Sequence, residues 1–172
     1  MKNKIIGILL IISLTLVVGC NNNTNNKSKK ENQNINKEEV KTTLSCYSEG
    51  YLFKSKKSVE HIISLNKDNK LIGYQHVEKY FSFTDDDNFN MICEGTVEEE
   101  EYNNKWYKFL KQEVDCNKEK KEVTISDVYD IDKLETTNSI PSEELKENLN
   151  ENYILDLENF KTAITNKGYT CK

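Results

Sequence analysis

The chain reads as an α+β domain: a mostly antiparallel sheet from two hairpins, a helix between them and a C-terminal helix, tethered by a disordered N-terminal linker. Three observations predict this. Paired runs with apolar residues at alternate positions are joined by short polar turns, the pattern of hairpins. Between the pairs, and again near the end, apolar residues recur at intervals of three and four, the pattern of amphipathic helices. Residues 21–41 are almost devoid of apolar side chains and cannot bury enough surface to offset their chain entropy.

Residues 42–47 read as a first short strand, which carries Cys46. Residues 59–65 (VEHIISL) and 71–83 (LIGYQHVEKYFSF) read as a second and a third, joined by the polar turn 66–70. Period two puts Val59, His61, Ile63 and Leu65 on one face. In the third strand Leu71, Gly73, Gln75 and Val77 face one way; Ile72, Tyr74, His76, Glu78 and Tyr80 face the other. Neither set is cleanly apolar, which leaves the core face open.

Thr84 is placed to cap a helix, with Asp85, Asp86 and Asp87 in the first turn, where the helix dipole favours negative charge. Phe89, Ile92, Cys93, Thr96 and Val97 form its expected buried stripe, and Glu98 to Glu101 its solvated end. It is expected to stop near Asn103-Asn104. Residues 106–116 and 122–131 read as the second hairpin, with the turn at 117–121. Lys108, Leu110, Gln112, Val114 and Cys116 share one face of its first strand. In its second strand Val123, Ile125 and Asp127 alternate with Thr124, Ser126 and Val128.

A loop through 135–140 leads to the single proline, Pro141, and Ser142 to Leu145 opens a short helix. Asp156 caps the last helix, with Leu157, Phe160, Ala163 and Ile164 on one face. Gly168 ends it at the position that wants a left-handed residue.

The 172 residues amount to one domain on length alone, with a net charge of -5. Without the first nineteen residues the chain loses Lys2 and Lys4 and no acid, leaving 22 lysines against 29 acids, a net charge of -7. It contains no arginine. That balance argues against nucleic-acid binding, which wants a basic face. It also argues against electrostatic adhesion to anionic lipid.

The first twenty residues, MKNKIIGILLIISLTLVVGC, have the parts of a secretory signal. Lys2 and Lys4 give a positive start, and an apolar run from Ile5 to Val18 follows. The run falls short of the roughly 20 apolar residues that a transmembrane helix needs. Val17-Val18-Gly19-Cys20 resembles the lipobox of bacterial lipoproteins. The resemblance implies cleavage between Gly19 and Cys20 and a diacylglyceryl group on the Cys20 thiol. At roughly 0.8 kcal/mol per buried methylene, two acyl chains suffice for stable anchoring. The expected organisation is a signal peptide over 1–19, the lipidated cysteine and flexible tether over 20–41, and a single extracytoplasmic domain over 42–172. The expected place is the outer face of the cell membrane.

With Cys20 lipidated, four cysteines remain in the domain: Cys46, Cys93, Cys116 and Cys171. No C-x-x-C pair occurs, so zinc ribbons and thioredoxin-type sites lose their usual spacing. An even number in an exported domain predicts two disulfides. Four cysteines allow three pairings, and spacing does not choose among them.

Chemistry-bearing motifs are scarce. His61 and His76 sit on neighbouring strands, near Glu78 and Glu60, where they could hold a metal, but two histidines in a sheet are more often surface residues. Asp85-Asp86-Asp87-Asn88 lacks the alternation, glycine and distal glutamate of a calcium loop, so helix capping explains it. No nucleophile elbow and no glycine-rich phosphate loop occurs. Neither a metal nor a cofactor is expected. Tyr74, Tyr80, Tyr102, Trp106 and Tyr107 flank the hairpins and the middle helix; exposed, they would make a carbohydrate- or protein-binding patch.

Hairpin, helix, hairpin, loop and final helix behind a lipobox resemble the YehR-like family of small Gram-positive lipoproteins, of unknown function. The likeness rests on KDNKLIGYQHVEKYFSF, KEVTISDVYDIDKL and the closing LDLENFKTAITNKGYTCK. The four domain cysteines depart from the pattern of that resemblance. The resemblance implies an α+β domain with a mostly antiparallel sheet, and offers no catalytic residues. Beside it, the expected cysteine pairing is Cys46 with Cys171, fastening the chain end to the first strand, and Cys93 with Cys116, tying the middle helix to the adjacent hairpin.

The functional expectation is a membrane-anchored, non-enzymatic binding module for an envelope protein, a carbohydrate or a small solute, and not for nucleic acid. The alternatives are an accessory solute-binding component of a transport system or a wall-active enzyme. A flat aromatic surface would favour the first, a small apolar cavity the second and a deep polar cleft the third.

Overall fold

The computed structural model describes residues 39–52 and 54–172. The signal segment 1–19, the lipidation site Cys20 and the tether up to residue 38 lie outside the described residues. Strands β1 (Thr42–Leu52), β2 (Ser55–Leu65) and β3 (Leu71–Phe81) form a meander. Helix α1 (Asp86–Trp106) follows, then β4 (Leu110–Asn117) and β5 (Glu122–Tyr129). An irregular stretch carries the short helix α2 (Glu143–Glu147), after which come α3 (Leu157–Asn166) and the two-residue β6 (Thr170–Cys171). The six strands make one antiparallel sheet in the order β4-β5-β3-β2-β1-β6.

The α+β architecture expected from the sequence is the one observed. The expected first hairpin is β2–β3, and β1 adds to it a further hairpin, β1–β2, that the sequence did not signal. Residues 48–52 and 55–58, too polar to signal strand, extend the β1–β2 ladder to the pair Leu52↔Ser55. A partly solvated sheet face accepts such residues, because the ladder satisfies the backbone while the side chains meet water.

Register decides which face is core. The rows across the sheet are Leu110–Tyr129–Tyr74–Ile63–Leu44, then Gln112–Asp127–His76–His61–Cys46, then Val114–Ile125–Glu78–Val59–Ser48. The β3 face bearing Tyr74, His76, Glu78 and Tyr80 is therefore the covered one. A register shift between Ser64 and Leu65 lets Leu71 share that face with Tyr74, three residues on. A bulge of this kind breaks the period of two that separates the two residues in sequence.

Two apolar clusters cover that face. The larger gathers Leu44, Ile63, Leu65, Leu71 and Tyr74 beneath Leu145, Leu155, Phe160 and Ile164. The smaller joins Phe89 of α1 to Val123 and Ile125, with Tyr80, Phe83 and Ile92 around them. Each holds one disulfide: Cys46–Cys171 in the first and Cys93–Cys116 in the second. Cys46 and Cys171 are direct cross-strand partners, with Cα atoms 4.0 Å apart.

Helix α1 differs from expectation at both ends. Its cap is Asp85, not Thr84: an Asp85 carboxylate oxygen accepts from the Asn88 amide at 2.9 Å. That hydrogen bond holds the Asp85 carboxyl below its ordinary value. The helix runs on to Trp106, so β4 begins at Leu110 rather than at 106. Phe89 is its one buried residue, and Val97 is 38% exposed instead of completing the stripe. Asn104 explains the extra turn. Its side-chain amide accepts from the Gln112 N–H and donates to the Gln112 carbonyl, both at 2.8 Å, occupying that position of the edge strand as a further strand would.

Helix α3 conforms. Asp156 caps it through the Asn159 amide, Phe160 and Ile164 are fully buried, and Gly168 has φ +89°. Gly168→Ala forces a Cβ into that left-handed conformation. The expected cost is about 1 kcal/mol, read as a lower midpoint of urea unfolding.

Candidate functional site

Two arrangements deserve comparison: a polar row inside the sheet and an aromatic cluster on its margin. The row begins with the histidines, which are cross-strand partners with ring centroids 5.0 Å apart. His76 lies between two carboxylates, its Nδ1 3.5 Å from Asp127 and its Nε2 3.6 Å from Glu78. Asp127 also accepts from the Gln112 amide at 2.7 Å. Glu78 accepts from Lys57 at 2.7 Å and from the Tyr80 hydroxyl at 2.9 Å. His61 Nδ1 and the Tyr74 hydroxyl share a hydrogen bond of 2.8 Å.

The electrostatics follow from burial. Desolvation lowers the His61 pKa to about 4, and neighbouring His76 adds to the effect while Glu78 opposes it. Burial, then the charge of Glu78, pushes the Tyr80 hydroxyl up. Burial pulls the Lys57 ammonium down, but the Glu78 carboxylate outweighs it and the net shift is upward. Burial also raises the Tyr74 and Tyr129 hydroxyls.

These groups spend their hydrogen bonds on each other. Among the described residues no buried side-chain nitrogen or oxygen lacks a partner. The row lies on the covered face of the sheet, with apolar rows on either side of it. Its evident work is to carry polar groups across the sheet between the two apolar clusters. Glu60, the other carboxylate near the histidines in sequence, points to the opposite face and accepts from Ser45 at 2.5 Å. Among the described residues no group of three or more His, Cys, Asp or Glu is arranged to hold a metal ion.

The uncovered face of the sheet carries a shallow depression of about 420 Å³, lined by Tyr47, Ser58, Glu60, Val77, Lys79 and Phe81 among others. Lys79 there is paired with Glu122 at 3.0 Å.

The aromatic cluster is different in kind. The last turn of α1 and the step into β4 place Tyr102, Trp106 and Tyr107 together, 56%, 60% and 41% exposed. Tyr102 lies 6.3 Å from both of the others, centroid to centroid. The Lys105 ammonium sits 5.1 Å from the centre of the Trp106 ring. Tyr107 leads inward to Phe109 at 5.6 Å, and Phe109 to Tyr129 at 6.4 Å. The outer rings are thus seated on a packed base.

Of the five aromatics expected on this surface, Tyr74 is only 2% exposed and Tyr80 is half-buried. Both project from the covered face of β3, which the register selects. Sequence reasoning passed over Gln112 and Asp127 as site residues. Their signal was present: each is a polar residue at a core-parity position between apolar ones, Leu110 and Val114 in one case, Ile125 and Tyr129 in the other. Comparison with protein-family models, with curated proteins and with solved structures returns no match.

Proposed function

We propose that the chain is an extracytoplasmic lipoprotein of the YehR-like kind. Residues 1–19 are removed, Cys20 carries a diacylglyceryl anchor, and the disulfide-bonded domain is a non-enzymatic binding module at the outer face of the cell membrane. The observation that carries the binding role is the exposed cluster of Tyr102, Trp106 and Tyr107. Large rigid aromatics with a packed base and open faces are the side chains that dominate recognition surfaces. The lipobox residues Val17 to Cys20 support the anchor, and two disulfides support an oxidising compartment.

The test is photo-crosslinking on intact cells, with p-benzoylphenylalanine replacing Trp106 or, as control, exposed Lys111 on β4. Crosslinks concentrated at position 106 in envelope material support the module. Equal yields at both positions overturn it. The anchor has its own arm: labelled fatty acid is incorporated, and Cys20→Ser loses both label and membrane association. A Cys20→Ser chain that still carries the label refutes the anchor.

A further inference from the structure

We infer that the occupant of the aromatic cluster is a basic polypeptide segment, one that brings lysine or arginine side chains onto the Trp106 and Tyr102 rings; this rests on the binding module proposed above. Three independent features of α1 lead there.

The first is ring chemistry. The Trp106 face already receives an ammonium group, that of Lys105. An indole face is the best aromatic acceptor for a cation. Lys105 therefore stands where a partner's ammonium or guanidinium would go.

The second is charge complementarity. Glu98, Tyr102 and Trp106 follow one another at intervals of four and form one stripe of the helix. Glu94 extends that stripe by one turn, Glu99 and Glu101 flank it, and Glu100 lies on the other side of the helix. The ion pairs of this helix and its cap lie at the opposite end, Asp86 with Lys121 and Asp85 with Lys54. Among the described residues none of the five glutamates has an ion-pair partner. The surface beside the rings thus offers carboxylates that no ion pair among the described residues neutralises.

The third is exclusion by sign. An anionic membrane or an acidic polymer would meet these glutamates as like charges, and the chain as a whole carries -5. A basic segment is drawn to the face by the same charges that repel those surfaces.

The experiment uses the full mature chain, acylated at Cys20, in uncharged detergent. Trp106 is the single tryptophan, so its fluorescence reports on this cluster alone. The probes are hexalysine, fully acetylated hexalysine, a neutral N-acetylglucosamine hexamer, and phosphatidylglycerol vesicles. Hexalysine is expected to perturb Trp106 and to weaken steeply with salt. Changing Glu98, Glu99, Glu100 and Glu101 together to Gln is expected to weaken it about tenfold, with the circular dichroism unchanged. Trp106→Ala, followed by calorimetry, is expected to weaken it by about the same factor. Lys105→Ala is expected to tighten it a few-fold, because the competing ammonium is gone.

Hexalysine affinity that ignores Trp106→Ala or the glutamine variant overturns the inference, as does equal binding of the acetylated peptide. A response to the sugar hexamer or the vesicles but not to hexalysine also overturns it, while leaving the binding module standing. Silence from every probe together with equal crosslinking at 106 and 111 defeats both.

Discussion

Replacing Cys46 and Cys171 together by alanine is expected to lower the stability of the domain by about 5 kcal/mol. The bridge spans 125 residues, nearly the whole folded region. Without it the unfolded chain regains the entropy of that very long loop. The same chain-entropy relation predicts about 3 kcal/mol for Cys93–Cys116, which spans 23 residues. Domains of this size are commonly stable by only about 5–15 kcal/mol. The first variant is therefore expected to be largely unfolded near physiological temperature and the second to remain folded.

Local structure points the same way. β6 contributes two paired positions, and the terminal Lys172 exchanges backbone hydrogen bonds with Ser45 at 2.9 and 3.1 Å. So short a strand lacks the pairing to hold itself on the sheet edge without the covalent link. Cys46 is fully buried in the larger cluster, so its truncation also loosens packing there. Urea unfolding of the two double-alanine variants measures the difference. A Cys93/Cys116 variant that loses as much as the Cys46/Cys171 variant would falsify the loop-length account.

Acid is expected to destabilise the domain through His61 by about 3 kcal/mol between pH 6.5 and pH 4. The folded pKa of His61 is about 4 against an ordinary 6.5. As the pH falls below 6.5, the unfolded chain protonates this ring and the folded protein does not. Stability present above pH 6.5 is thus lost progressively until the folded ring also titrates near pH 4. The gap corresponds to about 3 kcal/mol at roughly 1.4 kcal/mol per unit.

The cause is placement: the ring is 6% exposed, stacked on His76 and adjacent to Tyr74 and Tyr169. His61→Gln keeps a polar group opposite the Tyr74 hydroxyl and cannot take up a proton. Its stability should fall less steeply with acid, by close to one proton, across this window. Parallel slopes for the two proteins would show that His61 does not carry the effect.

The two histidines show how far sequence reached. That they lie on adjacent strands of one hairpin follows from two alternating runs around a five-residue polar turn. That His76 sits between Asp127 and Glu78 does not follow, because Asp127 arrives from β5, 51 residues downstream of it and separated by a helix. Only the pairing of β3 with β5 brings it there, and strand order is a property of long-range pairing. The aromatics divide in the same way. Tyr74 and Tyr102 are equally plausible surface residues in sequence. The covered face of β3 takes one, and the last turn of α1 exposes the other.

Local patterning alone determined the types and order of the main elements, the cap at Asp156, the start of the short helix at Ser142 and the left-handed position at Gly168. Those depend on neighbours within a few residues, whose steric and hydrogen-bonding preferences the sequence states directly. Tertiary structure decided the core face of β3, the long pairing of β1 with β2, the extra turn of α1 and the narrowing of the aromatic surface to Tyr102, Trp106 and Tyr107. Each of these depends on contacts between residues far apart in the chain. A bulge at Ser64 and Leu65 shifts the parity of a strand, and an asparagine on α1 meets the edge of β4, only once the sheet is assembled.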